Sequence, residues 1–303
     1  MNRYKKIIKN PKTRLAILKS LSFVPDRFML AIQYLIKLGR WPNFKSPKRY
    51  TEKLQVYKMQ HRDPLMGICV DKYDVREYVS KVGLSSILND CYGIFNTAED
   101  INFEKLPNKF VAKTTDGTGG NNVYICKDKS TEDIGKIRQL LNSWLGVKDY
   151  NAGREWPYTQ IKRSRIIVEK LIESDNTEGD LPDYKFFCFN GEVFCSYMTK
   201  GYSLDHLSAQ MGFFDRDFNL LNVTRTDYLP IRNQPDKPKN YELMVNYAEL
   251  LSKPFPHVRV DFYNVGGKII FGELTFFTAS GYMQFIPDTF DLEMGKAFIN
   301  YRN

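Results

Sequence analysis

Histidine and cysteine are scarce in this chain of 303 residues. The three histidines, His61, His206 and His257, stand in no motif of a histidine-centred hydrolase, so each reads as structural. The five cysteines, Cys69, Cys91, Cys126, Cys188 and Cys195, are odd in number and lack paired zinc spacing, which points to a reducing compartment and a cytoplasmic location. Long apolar runs are also missing. The most apolar N-terminal stretch, Phe28 to Leu38, is interrupted by Gln33 and Lys37 and is too short to span a bilayer, and no secretory cleavage pattern is present. Neither internal repeats nor low-complexity tracts occur.

What is present is ordinary for a globular protein: 43% hydrophobic and 26% charged residues, with 21 Phe and 19 Tyr to fill a sizeable core. The length suits either one elaborated fold of two or three lobes or separable domains. The net charge of +9 is concentrated at one end, since residues 1–63 hold 16 Lys or Arg against 3 acids, and the remainder holds 28 bases and 32 acids. Zinc spacing, RNA-recognition signatures and recognition-helix patterns are absent, so no nucleic-acid partner is expected.

Residues 1–40 place Ile7, Ile8, Leu15, Leu18 and Leu21 among Lys and Arg at helical spacing, which predicts amphipathic helices. These form either a solvated cap or a surface for an anionic membrane. Pro42 and Pro47 mark a connector, a helix resumes near Thr51, and Asp71 to Val82 reads as another helix. Pro107 breaks the chain before a β-rich half: FVAK, VYIC, IIVEKLI, YKFFCFNGEVFCSYM, HVRVDFY and KIIFGELTF. Asn190-Gly191 and Gly266-Gly267 have the chemistry of two-residue hairpin turns. An α+β architecture with largely antiparallel sheets follows.

Four elements carry chemistry. FVAKTTDGTGGNNVYI sets Lys113 at the end of a strand ahead of Gly117, Gly119 and Gly120. Glycines let backbone amides approach a polyphosphate and a lysine adds a compact positive charge. The order is not that of a Walker loop, and a glycine-rich hairpin with a surface lysine is the competing reading. HVRVDFYNVGGKIIFGELTFF holds Asp261 and Glu273 within apolar runs. Acids there are costly unless paired or coordinated, and two such oxygen ligands suit Mg²⁺. Alternatively they pair with Arg259 and Lys268, since Arg259, Asp261 and Tyr263 share a strand face. IIVEKLI brings Glu169 and Lys170 to the end of a buried strand, where backbone groups could meet adenine. PDYKFFCFNG puts Asp183 and Lys185 on one face, with Lys185 reaching a phosphate or pairing with Asp183.

The order of YTEKLQVYK, VDKYDVREYV, FVAKTTDGTGG, IIVEKLI, PDYKFFCFNGE, VRVDFY and FGELTFFTASGY, closing with a tail that carries Asp288 and Asp291, resembles the TupA-like branch of the ATP-grasp superfamily, named for teichuronopeptide biosynthesis. The resemblance implies an ATP-grasp fold with nucleotide held between two α+β lobes. It divides the chain into a basic helical segment (1–63), an N-terminal α/β part (64–108), a small lobe with the glycine-rich loop (109–172) and a C-terminal lobe with the metal site (173–303). ATP and Mg²⁺ are the implied cofactors. Lys113 would lie on the triphosphate beneath the Gly117, Gly119 and Gly120 loop, with Glu169, Lys170, Leu171 and Ile172 as adenine hinge. Lys72 and Arg76 would open the nucleotide module, Lys185 would sit near phosphate, and Arg259 would face the transferred phosphoryl group. Asp261 and Glu273 would bind the metal. Many ATP-grasp ligases carry Asn two residues after the metal-binding Glu, whereas this chain has Thr275, a weaker ligand. Ala279, Ser280 and Gly281 resemble a loop facing an acceptor carboxylate.

The leading function is thus an ATP-dependent carboxylate-amine ligase acting through an acyl phosphate, joining an amino acid to a uronic-acid-type sugar in a bacterial capsule or other surface-polysaccharide precursor. Its partners would be a small-molecule or lipid-linked glycan and an amine, with residues 1–63 as the segment able to touch the inner face of the membrane. The alternatives are a glycan kinase using the same cleft and a non-catalytic membrane-surface scaffold. A glycosyltransferase ranks lower, because the Asp215 to Asp217 spacing in FFDRDF reads as a turn.

Overall fold

A computed structural model describes residues 10–118, 120, 122–146, 153–175, 181–201, 209–299 and 301–302. Gly119, Ile7, Ile8 and His206 lie outside the described residues, as does the side chain of Leu15. The chain begins with helices α1 (Pro11–Ser20), α2 (Asp26–Leu38) and α3 (Tyr50–Gln60). Then come α4 (Pro64–Cys69), α5 (Val75–Lys81), β1 (Cys91–Phe95), β2 (Phe110–Thr114), β3 (Val123–Cys126), α6 (Ile134–Trp144) and β4 (Ile166–Lys170). The remainder holds β5 (Asp183–Phe189), β6 (Glu192–Lys200), β7 (Gln210–Phe214), β8 (Thr224–Arg225), β9 (Leu229–Pro230), α7 (Tyr241–Ser252), β10 (His257–Val265), β11 (Lys268–Thr275), β12 (Phe285–Ile286) and α8 (Thr289–Ala297). Two compact units result. One takes the described residues of Met1–Arg62, Asn151–Glu155 and Ser174–Asn303, so the N-terminal helices join the C-terminal half; the other takes those of Asp63–Tyr150 and Trp156–Glu173.

In the smaller unit an antiparallel sheet of order β1-β4-β2-β3 rests on α6. Strand alternation sends Phe110 and Ala112 inward with Ile166, Val168, Ile137 and Leu141, and leaves Val111 and Lys113 on the opposite face. The helix expected over Asp71 to Val82 starts only at Val75. Asp71 instead accepts the N–H groups of Tyr73 and Asp74 at 2.8 and 2.9 Å, holding the preceding turn in place.

In the larger unit the sheet order is β11-β10-β5-β6-β7-β9, antiparallel except for the β7–β9 pair, and β12 pairs with β8. Both expected hairpin turns form, with φ of 53° and 83° at Asn190 and Gly191 and of 60° and 95° at Gly266 and Gly267. Helix α7 covers one sheet face through Tyr241, whose ring lies 5.6 Å from that of Phe186, and Phe186 in turn meets Phe262.

Helix α3 is almost entirely buried although half of it is polar. Its buried polar side chains find partners, as burial demands, with the Gln55 side-chain carbonyl oxygen the exception. Glu52 accepts the N–H groups of Asn43, Lys48 and Arg49, and Thr51 donates through N–H and hydroxyl to Asp291. Tyr50 meets His257, stacked 4.8 Å from Phe189. The Cys188 carbonyl only accepts, so His257 Nδ1 carries the proton there and Nε2 accepts from the Tyr50 hydroxyl, at 2.9 and 3.0 Å. Helix α8 closes on α3 through Gly295, where a Cβ would stand 2.1 Å from the Lys48 carbonyl oxygen and 2.8 Å from the Tyr50 nitrogen.

Two stability predictions follow from this packing. Gly295→Ala collides with backbone that cannot swing aside, so thermal or urea unfolding should show a loss of roughly 1–3 kcal/mol; an unchanged transition would refute the close packing. Burial holds the His257 pKa at about 3, well below 6.5. The native state therefore favours the neutral ring, and that stabilisation is complete above pH 6.5 and is lost as pH falls toward 3. Relative to His257→Asn, the parent should lose up to about 1.4 kcal/mol per pH unit below 6.5 in urea unfolding. Parallel pH profiles for the two proteins would contradict the buried neutral histidine.

Candidate active site

In the smaller unit, Lys113 Nζ lies 2.6 Å from Oε2 of the buried Glu169, and Arg76 approaches the other oxygen at 3.3 Å. Arg76 also donates to the Asn89 carbonyl. The turn after β2 is held from behind: the Lys72 N–H donates to the Thr115 carbonyl at 2.9 Å, and its ammonium donates to the Gly117 carbonyl. Gly120 adopts φ of 75°, open to glycine without strain. Lysine and arginine thus cluster around Glu169 on one face of the two inner strands, beside a glycine turn. At Lys170 the N–H donates to the Asp90 carbonyl at 2.9 Å and the carbonyl accepts from Asn89 Nδ2 at 2.8 Å. Leu171 and Ile172 follow, half-buried and past the strand.

In the larger unit, Asp261 and Glu273 are direct cross-strand partners on β10 and β11. A bulge makes this so. The register slips at Gly272, so Phe271 and Ile269 serve the face of Phe262 while Glu273 and Thr275 emerge beside Asp261 and Arg259. A Cβ at Gly272 would press to 3.0 Å from the Asp261 carbonyl oxygen, which favours glycine at the bulge. Arg259 grips Asp261 with two bonds, Nε to Oδ1 at 2.7 Å and Nη2 to Oδ2 at 2.6 Å, and reaches Glu273 at 3.1 Å and the Thr275 hydroxyl at 3.0 Å. Lys185, in register on β5, lies 2.9 Å from Asp261 and also pairs with Asp183. Burial opposes the charge on Lys185, but the Asp183 and Asp261 carboxylates overcome it and raise its pKa well above the ordinary lysine value. Burial is likewise outweighed at Arg259 by Asp261. The pairing left open with Lys268 does not form, since Lys268 faces Val265 at the far hairpin end and is exposed.

These groups suit Mg²⁺ in kind: two adjacent carboxylates and a hydroxyl are hard oxygen donors. Among the described residues no three His, Cys, Asp or Glu form a group that could hold a metal. An ion bound by this pair would complete its shell with water and substrate phosphates.

The turn Ala279-Ser280-Gly281 is left-handed throughout, with φ of 50°, 53° and 80°. Such non-glycine conformations persist only where surroundings impose them. Here Gln55 donates to the carbonyls of Ser280 and Gly281, Lys58 donates to those of Ser280 and Gly153, and Ser280 Oγ donates to Glu155 at 2.6 Å. Burial lowers the Lys58 pKa to about 8. The partnership of Gln55, Lys58 and Glu155 with this turn has no sequence signal, as 125 residues separate Glu155 from Ser280. Asp288 and Asp291 are structural: Asp288 pairs with Arg40 and Arg49, and Asp291 holds Thr51. Asp215 takes the N–H groups of Asp217 and Asn219, so FFDRDF is a turn.

Removing one partner of a buried ion pair leaves the other charge uncompensated. Arg259→Met should therefore cost roughly 3–5 kcal/mol in urea unfolding, and Arg259→Lys should recover little because it cannot form the two-bonded fork. Near-parental stability of the methionine variant would overturn the charge pairing described above.

The known proteins bear on this geometry. Comparison with curated proteins finds no match. Among solved structures, D-alanine–D-alanine ligase from Bacillus anthracis aligns at 19% identity and TM-score 0.47, over 78% of this chain and 69% of that one. The ligase of the same name from Helicobacter pylori aligns at 15% and 0.43, over 76% and 61%. The ADP complex of N5-carboxyaminoimidazole ribonucleotide synthetase aligns at 14% and 0.43, over 70% and 45%, so the chain spans less than two thirds of the latter two structures. The model of the TupA-like ATP-grasp family matches residues 52–299, which include both clusters and the strained turn, and the chain belongs to that family.

Proposed function

We propose that this protein is an ATP- and Mg²⁺-dependent carboxylate-amine ligase that joins an amino acid to a uronic-acid-type sugar of a bacterial surface-polysaccharide precursor. The observation that carries the reading is the charge ladder on one face of the larger sheet: Lys185 and Arg259 set among Asp183, Asp261 and Glu273, with Asp261 opposite Glu273. A cluster of two cations and three carboxylates, paired with one another, can exchange partners when phosphates and a cation arrive together.

A substrate carboxylate oxygen attacks the γ-phosphorus of ATP, the bond to the β-phosphate oxygen breaks, and ADP leaves. The amine then attacks the acyl carbon, phosphate departs, and the amine gives up a proton. No protein nucleophile is needed, so the residues act by position and charge. Lys113, with the Gly117 and Gly120 turn, binds the triphosphate; Lys72 and Arg76 support that cluster, and Leu171 and Ile172 offer the adenine contact. Lys185 and Arg259 neutralise phosphoryl oxygens, while Asp261, Glu273 and the Thr275 hydroxyl would hold Mg²⁺. The ion would draw negative charge from the phosphates during transfer. The turn at Ala279, Ser280 and Gly281 receives the acceptor. A cytoplasmic protein whose residues 1–63 meet the inner face of the membrane belongs to the same reading, since such a precursor can be lipid-linked.

Calorimetry with a non-hydrolysable ATP analogue tests this. The parent should bind in a Mg²⁺-dependent manner, and Lys113→Ala should weaken binding at least tenfold, about 1.4 kcal/mol, while remaining folded; the double change Asp261→Asn, Glu273→Gln should weaken it as much, measured at a temperature where circular dichroism shows the less stable variant folded. A folded parent that binds no nucleotide would favour the non-catalytic scaffold. With uronic acid and amino acids supplied, ADP, phosphate and an amide are expected; a phosphoester without free phosphate would make the protein a kinase.

A further inference from the structure

Helix α2 is apolar on nearly every side. Met29, Leu30 and Tyr34 are buried on one side, whereas Phe28, Ile32 and Ile36 are 65%, 45% and 50% exposed. Spaced four apart, these three form a ridge on the outward face. Phe23 at 81% and Trp41 at 66% exposure flank it in sequence, one before and one after the helix. A helix face of this kind is normally covered, and an exposed apolar ridge marks a contact surface. The helix cannot roll to hide it: Tyr34 donates to the Thr51 hydroxyl at 2.7 Å, Tyr282 donates to Gln33 at 2.8 Å, and Arg154 pairs with Asp26 at 2.5 Å.

Charge decides what covers the ridge. Residues 1–49 hold 13 Lys or Arg and a single acid, Asp26, which Arg154 already pairs. Arg27, Lys45 and Lys48 are exposed near the ridge in sequence. A second copy of the chain would bring the same positive excess, and like charges repel. An anionic lipid surface satisfies both features, because interfacial helices bury an apolar face while neighbouring Lys and Arg meet the headgroups. At 13 residues α2 is about 20 Å long, short of the roughly 30 Å hydrocarbon core, so it would lie flat. Among the described residues no helix is long and apolar enough to cross a membrane. The whole ridge precedes residue 52, where the family match begins.

We propose that Phe23, Phe28, Ile32, Ile36 and Trp41 form a docking surface for an anionic bilayer, with α2 lying in the headgroup plane. The inference rests on the proposed membrane contact of residues 1–63 and not on the ligase chemistry. Sedimentation of the full chain with phosphatidylglycerol/phosphatidylcholine vesicles should show binding that salt weakens, with much weaker binding to phosphatidylcholine alone. The triple variant Phe28→Gln, Ile32→Gln, Ile36→Gln should bind anionic vesicles about tenfold less or weaker still, with unchanged melting temperature. Its MgATP-analogue affinity should equal that of the parent. Absence of parental binding overturns the proposal, as does equal binding by the variant. A parent that dimerises in sedimentation velocity where the variant does not would give the ridge to a second copy. Vesicle binding by a parent that binds no nucleotide would sink the ligase reading and leave this one standing.

Discussion

A carboxylate set in the middle of a sheet has to be neutralised where it stands, and Asp261, 2% exposed, is the group around which the larger unit is arranged. Arg259 reaches it from two residues earlier on the same strand, and Lys185 reaches it from the neighbouring strand in register. Those two cations in turn require Asp183 and Glu273. Glu273 is available only because the bulge at Gly272 changes which face β11 presents. Without the slip, its alternation would continue through Phe271 and Glu273, sending both to one face. The apolar layer against α7 and the charged face thus depend on one local irregularity.

For all but the Gln55 side-chain carbonyl oxygen, the opposite need, for polar groups to be satisfied within an apolar environment, is met by α3. Its burial would be costly without Asp291 for Thr51, the Ser280 and Gly281 carbonyls for Gln55, and the Gly153 and Ser280 carbonyls for Lys58. The same bonds hold a turn with two non-glycine residues in the left-handed region. Strain in the turn and burial of the helix therefore support each other: neither conformation is favourable without the other.

This mutual dependence explains what the sequence could reveal. The hairpins at Asn190-Gly191 and Gly266-Gly267 were legible because positive φ has a residue signature, and the apolar strand runs were legible because alternation is local. Asp261 and Glu273 stood out as acids inside apolar runs. What they pair with was not legible. Choosing Arg259 over Lys268 required the strand register, and bringing Glu273 onto the right face required the bulge. The capping turn at Asp71, the parallel β7–β9 pair and the capture of Lys170 by Asn89 and Asp90 are likewise relations between residues that no periodicity records.

The apolar stretch from Phe28 to Leu38 shows the same division sharply. Its length excludes a membrane span, but only the fold reveals which of its residues are spent on the core. Met29, Leu30 and Tyr34 are; Phe28, Ile32 and Ile36 are not. The segment Gly153 to Glu155 then ties this helix to the strained turn. Arg154 donates to the Leu21 and Val24 carbonyls ahead of α2 and pairs with Asp26 at its first residue, while adjacent Glu155 accepts from Ser280. With Lys58 bridging the Gly153 and Ser280 carbonyls, displacing α2 relative to that turn would break several charge-assisted bonds at once, each stronger than a neutral hydrogen bond. A surface that held the outward face of α2 would therefore also fix the orientation of the turn within the same unit.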